Sequence, residues 1–213
     1  MKNRVIIWGA SGHAKVIADI LRGSGSEVVG FIDDINPERR GEQFCGATVL
    51  GGRDDLNELR LSGVSQVIIG FGDNARRLAA GEDAESLGFI LVTAIHPSAV
   101  VASDVVVGPG SVLAAGAIIN PGSVLGRLVI VNTGATVDHD CLIADGVHVG
   151  PGVNIAGHVQ IGCRTWIGIG AKIIDHRRIG AGSIVGAGAV VVDDVPDGVV
   201  VVGVPARILK QVS

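Results

Sequence analysis

The chain has 213 residues, of which 47% are hydrophobic and 18% are charged, and its formal net charge is −4 at pH 7. These values predict a soluble globular protein with one large domain or two small ones, and they exclude the strongly basic surface typical of nucleic-acid-binding proteins. Cys45, Cys141 and Cys163 have no CxxC spacing, so neither a disulfide framework nor a zinc knuckle is predicted. Without a signal peptide or a run of about 18 apolar residues, we expect a reduced, cytoplasmic setting.

The N-terminal part of the chain alternates between strand-like and helix-like patterns. In chain order, the patterns predict strands or helices at residues 4–8 (strand), 14–22 (helix), 28–32 (strand), 67–69 (strand), 75–80 (helix) and 89–94 (strand). Such alternation is typical of a small Rossmann-like parallel α/β domain, which we place at residues 1–94.

Three turns of this predicted domain carry residues that suit a nucleotide. Parallel sheets bind ligands beyond the carboxyl ends of their strands, where the segments Gly9–His13, Asp33–Asp34 and Gly70–Asn74 fall. The helix after Gly12 offers free amides to a diphosphate, and the two aspartates can accept hydrogen bonds from a sugar or a base. The alternatives are an NAD site, since an acid follows the glycines by about 20 residues, and a purely structural turn. The short domain favours a mononucleotide-sized ligand.

The C-terminal half contains a repeat of six residues. From Ile95 to Val191 every sixth residue is Val, Ile or Leu, without a slip. A helix needs a period near 3.6 and a strand a period of 2, whereas a fixed period of six is typical of a parallel β-helix with short strands and sharp corners. The repeat resembles the left-handed β-helix of hexapeptide-repeat acyltransferases, in which three hexapeptides form one triangular coil. We place this domain at residues 95–195, and expect the tail at 196–213 to finish in a short helix.

Two patterns in the coils could carry chemistry. His139 stands between Asp138 and Asp140, and a carboxylate beside an imidazole makes it a candidate general base, although spacing cannot choose between the two aspartates. With 18 residues per coil, Asp140, His158 and His176 form one column, and two histidines with a carboxylate resemble a metal triad. The alternative is that His158 and His176 are surface residues at corners of the coils. Cys141 occupies an inward position and is expected to be inert core.

Six motifs in order resemble those of one enzyme family: Gly9–His13, Phe31–Asp34, Gly70–Asn74, Ile95–Ala99, Asn132–Cys141 and Gly203–Arg207. The resemblance is to the bacterial acetyltransferases that N-acetylate nucleotide-linked 4-amino-4,6-dideoxy sugars, with the sialic-acid O-acetyltransferases as relatives. It implies acetyl-CoA as co-substrate, a UDP-, GDP- or dTDP-linked amino sugar as acceptor, no metal, and a homotrimer with the site between neighbouring subunits.

The resemblance also implies roles for individual residues. His139 matches the catalytic base, and Asp140 the acid that raises its basicity. His148 matches a residue that contacts acetyl-CoA, while Ile169 and Ala187 match positions whose backbone bonds the pantetheine arm. The positions that match nucleotide-sugar contacts are Ser11, Gly12, His13, Asp33, Asp34 and Gly72.

Three other functions are compatible with the same scaffold. O-acetylation of a free sugar such as sialic acid would need no nucleotide. A metal-dependent enzyme like the γ-class carbonic anhydrases would need a triad of ligands, and their spacing of three histidines is not reproduced here. A non-catalytic solenoid would not bind CoA.

Overall fold

The computed structural model describes residues 3–212, which form two compact units that divide between Pro97 and Ser98. The N-terminal unit contains three helices and a sheet. Its elements are β1 (Arg4–Trp8), α1 (Gly12–Gly23), β2 (Glu27–Ile32), β3 (Gln43–Phe44), β4 (Ala47–Gly51), α2 (Leu56–Leu61), β5 (Gln66–Ile69), α3 (Asn74–Ser86), β6 (Ile90–Leu91) and β7 (Ala94–Ile95), with single 3₁₀ turns at Pro37–Arg39 and Arg53–Asp55.

The sheet has the order β3-β4-β2-β1-β5-β6, and every pair in it is parallel except the antiparallel pair β3-β4. Strands β1 and β5 are interior, neighbouring strands of this sheet and are almost wholly buried, as expected for continuous apolar runs in a parallel sheet. The crossovers after β1 and β5 are the helices that the sequence predicts. The predicted last strand is instead two short strands, β6 and β7, and β3, β4 and α2 were not predicted.

Glycine lets the central strands end close together. Gly9 has φ +132°, and a Cβ there would lie 2.9 Å from the Gly70 carbonyl group. A Cβ on Gly70 would in turn lie 2.7 Å from Ile7 Cγ2. The turns after β1 and β5 therefore approach each other because neither glycine carries a side chain.

The C-terminal unit is a stack of two-residue strands. They are β8 (Val100–Val101), β9 (Val106–Val107), β10 (Val112–Leu113), β11 (Ile118–Ile119), β12 (Val124–Leu125), β13 (Ile130–Val131), β14 (Thr136–Val137), β15 (Leu142–Ile143), β16 (His148–Val149), β17 (Asn154–Ile155), β18 (Gln160–Ile161), β19 (Trp166–Ile167), β20 (Lys172–Ile173), β21 (Arg178–Ile179), β22 (Ile184–Val185) and β23 (Val190–Val191), followed by β24 (Val199–Val202) and β25 (Arg207–Gln211).

These strands form three faces, and the strands named in each face run parallel to one another. Face 1 contains β10, β13, β16, β19, β22 and β24; face 2 contains β8, β11, β14, β17, β20 and β23; face 3 contains β9, β12, β15, β18 and β21. From β8 to β23 each paired residue lies opposite the one 18 positions away, for example Val137 with Ile155 and Ile155 with Ile173, whereas β22 pairs with β24 at an offset of 16, as in Ile184 with Val200. The prediction of one coil per 18 residues is therefore confirmed in this register. We call the turn from face 1 to face 2 corner 1, and the turn from face 2 to face 3 corner 2.

The aliphatic column of the repeat forms the core of the coils. From Leu113 to Val191 every one of its positions is at least 98% buried. Hydroxyl groups that also face inward are satisfied by carbonyl oxygens of the next coil, as when Ser111 Oγ donates to Gly126 O and Thr165 Oγ1 donates to Gly180 O. These hydroxyl groups are therefore buried together with a hydrogen-bond partner, which avoids the free-energy cost of burying an unpaired polar group.

The tail ends in strands, so the short helix expected from the sequence is wrong. The valines of β24 extend face 1 by pairing with β22, and β25 folds back antiparallel against β24. Four consecutive valines favour this strand because β-branched side chains suit a pleated surface and disfavour a helix.

Candidate functional site

His139 and Asp140 form an exposed pair at corner 2, directly after β14. His139 Nδ1 lies 2.8 Å from Asp140 Oδ2, and about half of each side chain is exposed. Asp140 has φ +57°, a left-handed conformation that turns its carboxylate beside the neighbouring ring. The hydrogen bond to Asp140 raises the pKa of His139, and the charge of Asp138 acts in the same direction. A carboxylate on Nδ1 leaves Nε2 as the nitrogen that accepts a proton.

Asp138 has a different task, which resolves the choice that spacing left open. Its Oδ1 accepts hydrogen bonds from Asn120 Nδ2 at 2.8 Å and from the His139 backbone N–H at 2.8 Å. These bonds lower the pKa of Asp138, with the bond from Asn120 the larger cause. Asp138 therefore fixes the backbone at the corner, and Asp140 is the carboxylate that contacts the ring.

Gly157 provides the space that the His139 ring occupies. A Cβ on Gly157 would lie 2.6 Å from His139 Cε1 and 2.7 Å from Nε2. The imidazole thus packs against bare backbone of the next coil. The sequence showed a glycine in the repeat at this point but gave no sign that the ring would lie over it.

The predicted column of Asp140, His158 and His176 is present at corner 2. Its arrangement favours His139, Asp140 and His158, instead of the column itself, as candidate metal ligands. His158 Nε2 lies 3.6 Å from Asp140 Oδ2, while His176 stacks on the far side of the His158 ring with centroids 4.7 Å apart. His139, Asp140 and His158 each offer one ligand atom within 4.8 Å of the other two, so together they could hold a metal ion. His158 is a site neighbour that sequence reasoning considered only as part of the metal column.

Cys141 follows this pair but faces the core. Its side chain is fully buried, and burial raises the pKa of the thiol. A buried, protonated thiol is a poor nucleophile. The neighbouring cysteine therefore offers no route to a covalent acyl intermediate.

The three positions matched to acetyl-CoA lie elsewhere on the coils. His148 is on face 1, where its ring stacks on Trp166 with centroids 5.9 Å apart and its Nε2 lies 3.3 Å from Asn132 Nδ2. Ile169 and Ala187 follow face 1 at corner 1, where both are exposed and Gly188 N donates to Ile169 O at 2.8 Å. The chain therefore brings Ile169 and Ala187 together in one column but places them at a different corner from His139.

Part of the predicted nucleotide site forms one pocket in the N-terminal unit. The pocket is lined by Trp8, Gly9, Ala10, Ser11, Ile32, Asp33, Asp34, Ile35, Asn36, Phe71 and Arg76. Ser11 is the exposed residue that precedes α1, and Gly12 is the first residue of that helix. Gly12, His13 and Gly72 do not line the pocket.

The two aspartates of the pocket differ in their bonding. Asp33 is buried and accepts hydrogen bonds from the Asn36 and Ile35 amides and from Arg39 Nη1. Burial acts to raise the pKa of Asp33, but these bonds outweigh it and lower the pKa. Asp34 is more exposed; its Oδ2 accepts from Trp8 Nε1 at 2.7 Å and its Oδ1 accepts from the Arg53 backbone N–H at 2.5 Å. Asp33 thus orders its own loop, while each carboxylate oxygen of Asp34 has one protein donor and a lone pair left for a ligand.

Two aromatic residues and a cation complete the pocket, and sequence reasoning missed them. Trp8 is held by Asp34, and the Arg76 guanidinium lies 5.6 Å from the centroid of the Phe71 ring. Ligand sites lie beyond the carboxyl ends of parallel strands, so the positions of these residues near the ends of β1 and β5 could have identified them as candidates. Gly72 contributes through its backbone, because its carbonyl oxygen accepts from the buried Arg77 Nη1 at 2.7 Å. Burial lowers the pKa of Arg77 to about 10.

Comparisons with known proteins cover both units. Residues 4–82 match the model of the PglD N-terminal domain, and residues 158–193 match that of the bacterial transferase hexapeptide (six repeats). Perosamine N-acetyltransferase from Caulobacter crescentus, solved with CoA and GDP-perosamine, is 44% identical over 97% of both chains with a TM-score of 0.94. The acetyltransferase domain of PglB from Neisseria gonorrhoeae, solved with acetyl coenzyme A, is 40% identical over 98% of this chain and 100% of that one, with a TM-score of 0.92.

The chain belongs to this family of hexapeptide-repeat sugar N-acetyltransferases. WeeI from Acinetobacter baumannii is also similar, at 30% identity over 96% of this chain and 99% of that one, with a TM-score of 0.85. The predicted fold class and family are confirmed. Among residues 3–212, no helix combines the length and hydrophobicity that a membrane span requires.

Proposed function

We propose that this family member transfers the acetyl group of acetyl-CoA to the amino group of a nucleotide-linked amino-dideoxy sugar. The observation that carries the proposal is the exposed His139–Asp140 pair, in which Nδ1 and Oδ2 lie 2.8 Å apart. It is supported by the similar proteins, which were solved with CoA, acetyl coenzyme A and GDP-perosamine. An imidazole with a raised pKa suits the removal of a proton from an amine, and the buried thiol of Cys141 favours direct transfer.

In the proposed reaction the uncharged sugar amine attacks the thioester carbonyl. The new C–N bond forms, His139 Nε2 takes the amine proton, and the C–S bond then breaks to release CoA. Asp140 holds Nδ1 and stabilises the imidazolium that results. A positioned base contributes about 10²–10⁴-fold, and holding both substrates in one groove contributes more, since effective molarities reach about 10⁵ M and above.

The pocket in the N-terminal unit is the proposed nucleotide site. The Asp34 carboxylate can accept hydrogen bonds from a base, and the aromatic faces of Trp8 and Phe71 suit contact with a sugar. The Arg76 cation suits a diphosphate. Ser11, Gly12, His13, Asp33 and Gly72 are proposed as further contacts. The nucleotide is proposed to be UDP, GDP or dTDP.

Acetyl-CoA is proposed to lie along corner 1, beside His148, Ile169 and Ala187. One chain places that corner and His139 on opposite sides of face 2, which favours a site completed by a second copy. We therefore propose a homotrimer in which the base and the acyl donor come from different chains, and a cytoplasmic location where acetyl-CoA is available.

Replacement of the base tests this proposal. We expect His139→Asn to lower kcat by about 10²–10⁴-fold with nucleotide-linked 4-amino-4,6-dideoxy sugars and acetyl-CoA, measured by thiol release. Acetyl-CoA affinity, measured by calorimetry, should stay unchanged because Ile169 and Ala187 lie at another corner. His176→Asn is the matched control, since this histidine contacts neither His139 nor Asp140. Full activity of His139→Asn would refute the assignment.

The second candidate is O-acetylation of a free sugar. The same assay separates the two functions, because a free sugar should be acetylated without any nucleotide. The aromatic and acidic pocket at the ends of β1 and β5 favours the nucleotide-linked acceptor.

A further inference from the structure

Three donor atoms at corner 2 have the chemistry and spacing of a metal site. His139 Nδ1 and His158 Nε2 lie 2.8 Å and 3.6 Å from Asp140 Oδ2, and one ligand atom from each of the three residues lies within 4.8 Å of the other two. Zinc–nitrogen and zinc–oxygen bonds of about 2.0–2.2 Å place neighbouring tetrahedral ligands roughly 3.4 Å apart. The two separations from Asp140 Oδ2, 2.8 Å and 3.6 Å, bracket that value.

The corner fixes the backbone from which these ligands project. Asp140 and His158 have φ +57° and +58°, and their amides bond to carbonyls of the preceding coil, at Pro121 and His139, at 3.0 and 2.9 Å. His176 stacks on His158 at an interplanar angle of 12° and orients its ring. Gly122, one coil before Asp140, leaves room for the carboxylate, because a Cβ there would lie 2.5 Å from Asp140 Oδ1.

The site is also open. The side chains of His139, Asp140 and His158 are 52%, 51% and 46% exposed, so a hydrated ion can enter and keep a water ligand. Two imidazoles and one carboxylate suit the first-row transition metals near the end of the Irving–Williams series, whereas Mg²⁺ and Ca²⁺ prefer oxygen ligands.

We propose that His139, Asp140 and His158 bind a divalent transition metal such as Zn²⁺, and that this metal inhibits the enzyme. Inhibition follows from the tautomer of His139. A metal on Nδ1 replaces the hydrogen bond to Asp140, so the proton of a neutral imidazole must lie on Nε2. That nitrogen then cannot accept a proton from the amine. The inhibitory effect rests on the proposed function, whereas metal binding itself does not.

Direct binding provides the test. The untagged full-length chain is titrated with Zn²⁺ by calorimetry and with Co²⁺ by visible absorption, which reports the coordination geometry. We expect one site per chain, with the intense absorption of a four- or five-coordinate cobalt ion. His158→Ala should weaken binding by more than about 100-fold, because loss of a ligand costs more than loss of an outer-shell partner.

His176→Ala is the matched control: it removes a ring that stacks on His158 but no ligand atom, so it should weaken binding much less than His158→Ala does. The control also separates this site from zinc bound at the free thiols of Cys45 and Cys163, which both variants keep. Equal Zn²⁺ affinity for His158→Ala and the unmodified chain, or the absence of binding, would overturn the proposal.

Activity assays then distinguish the metal site from the proposed function. Zn²⁺ should inhibit acetyl transfer at the concentration at which it binds, and a chelator should restore the activity. Binding that depends on His158 without inhibition would leave the metal site standing but would contradict His139 as the base.

Discussion

At the scale of single residues, Asp140 raises the pKa of His139. The proposed base must be unprotonated, so kcat/KM should fall as the pH drops through this raised pKa. In Asp140→Asn the hydrogen-bonded charge is lost and the pKa of His139 decreases. We therefore expect the acidic limb of the pH–rate profile to shift to lower pH, with a lower plateau because the ring is less well held.

The profile is measured from about pH 5 to 9 around the ordinary histidine pKa of about 6.5. His176→Asn should keep the profile of the unmodified enzyme. An unmoved acidic limb in Asp140→Asn would contradict the coupling of these two side chains.

A second residue-scale prediction concerns Gly157. Its φ is not left-handed, so alanine suits the backbone, but the added Cβ would lie 2.6–2.7 Å from the His139 ring. Gly157→Ala should therefore displace the imidazole and lower kcat by at least about tenfold, since a misplacement of about 1 Å can cost 10²-fold.

Gly23→Ala is the matched control, because a Cβ there makes only an ordinary contact with Pro97 at 3.8 Å. Both variants should keep the thermal unfolding temperature within a few degrees. Unchanged kcat in Gly157→Ala would show that the ring does not occupy this position during catalysis.

At this scale the sequence predicted the candidates but not their partners. His139 and Asp140 adjoin in the chain, so the motif sufficed to suggest the pair. His158 was predicted in one column with Asp140, but Asn120 and Gly157 come from neighbouring coils and were not predicted to reach this corner. Trp8 and Arg76 meet in one pocket only because β1 and β5 are adjacent strands.

At the scale of the elements, stability is concentrated in the inward column of the coils. Ile155 is 2% exposed and packs among aliphatic residues of the coils above and below it. Ile155→Ala should lower the free energy of unfolding by about 2–5 kcal/mol, through lost burial and the cavity left behind.

The comparison is Ile169→Ala, the same substitution at a side chain that is 60% exposed. This change should lower the free energy of unfolding by less than about 0.5 kcal/mol, as is usual for surface positions. Urea denaturation followed by circular dichroism measures both. A similar loss in the two variants would contradict the assignment of the inward column.

The elements differed in how well the sequence predicted them. The coils followed directly from the repeat, because one aliphatic position per hexapeptide defines both strand and core. In the N-terminal unit, β1, α1 and β5 were predicted, but the segment between Asp33 and Gln66 has no clear periodicity. Strands β3 and β4 and helix α2 lie there, and each is short enough for tertiary contacts to decide its conformation.

At the scale of the whole molecule, a shared site predicts complementation between inactive chains. His139→Asn removes the proposed base, and Ala187→Arg places a long cation at the exposed corner proposed for the acyl donor. Each variant alone should be inactive. If neighbouring chains supply the two parts, co-expressed mixed assemblies should regain part of the activity, because some sites combine both intact surfaces.

Differently tagged chains and tandem purification isolate the mixed assemblies, and their mass should be about three times the 21.6 kDa of one chain. Mixing the separately assembled variants without exchange is the control and should stay inactive. Mixed assemblies without activity would indicate that base and acyl donor belong to one chain.

Because each coil has eighteen residues, equivalent positions in successive coils are spaced along the solenoid axis by about 4.8 Å, the distance between adjacent strands. A gain or loss of one full coil would slide every downstream group along the axis by one step and keep it on its own edge of the prism. A single inserted residue would rotate the downstream groups out of alignment. Lineages that adapt this scaffold to longer or shorter substrates should therefore differ by whole coils.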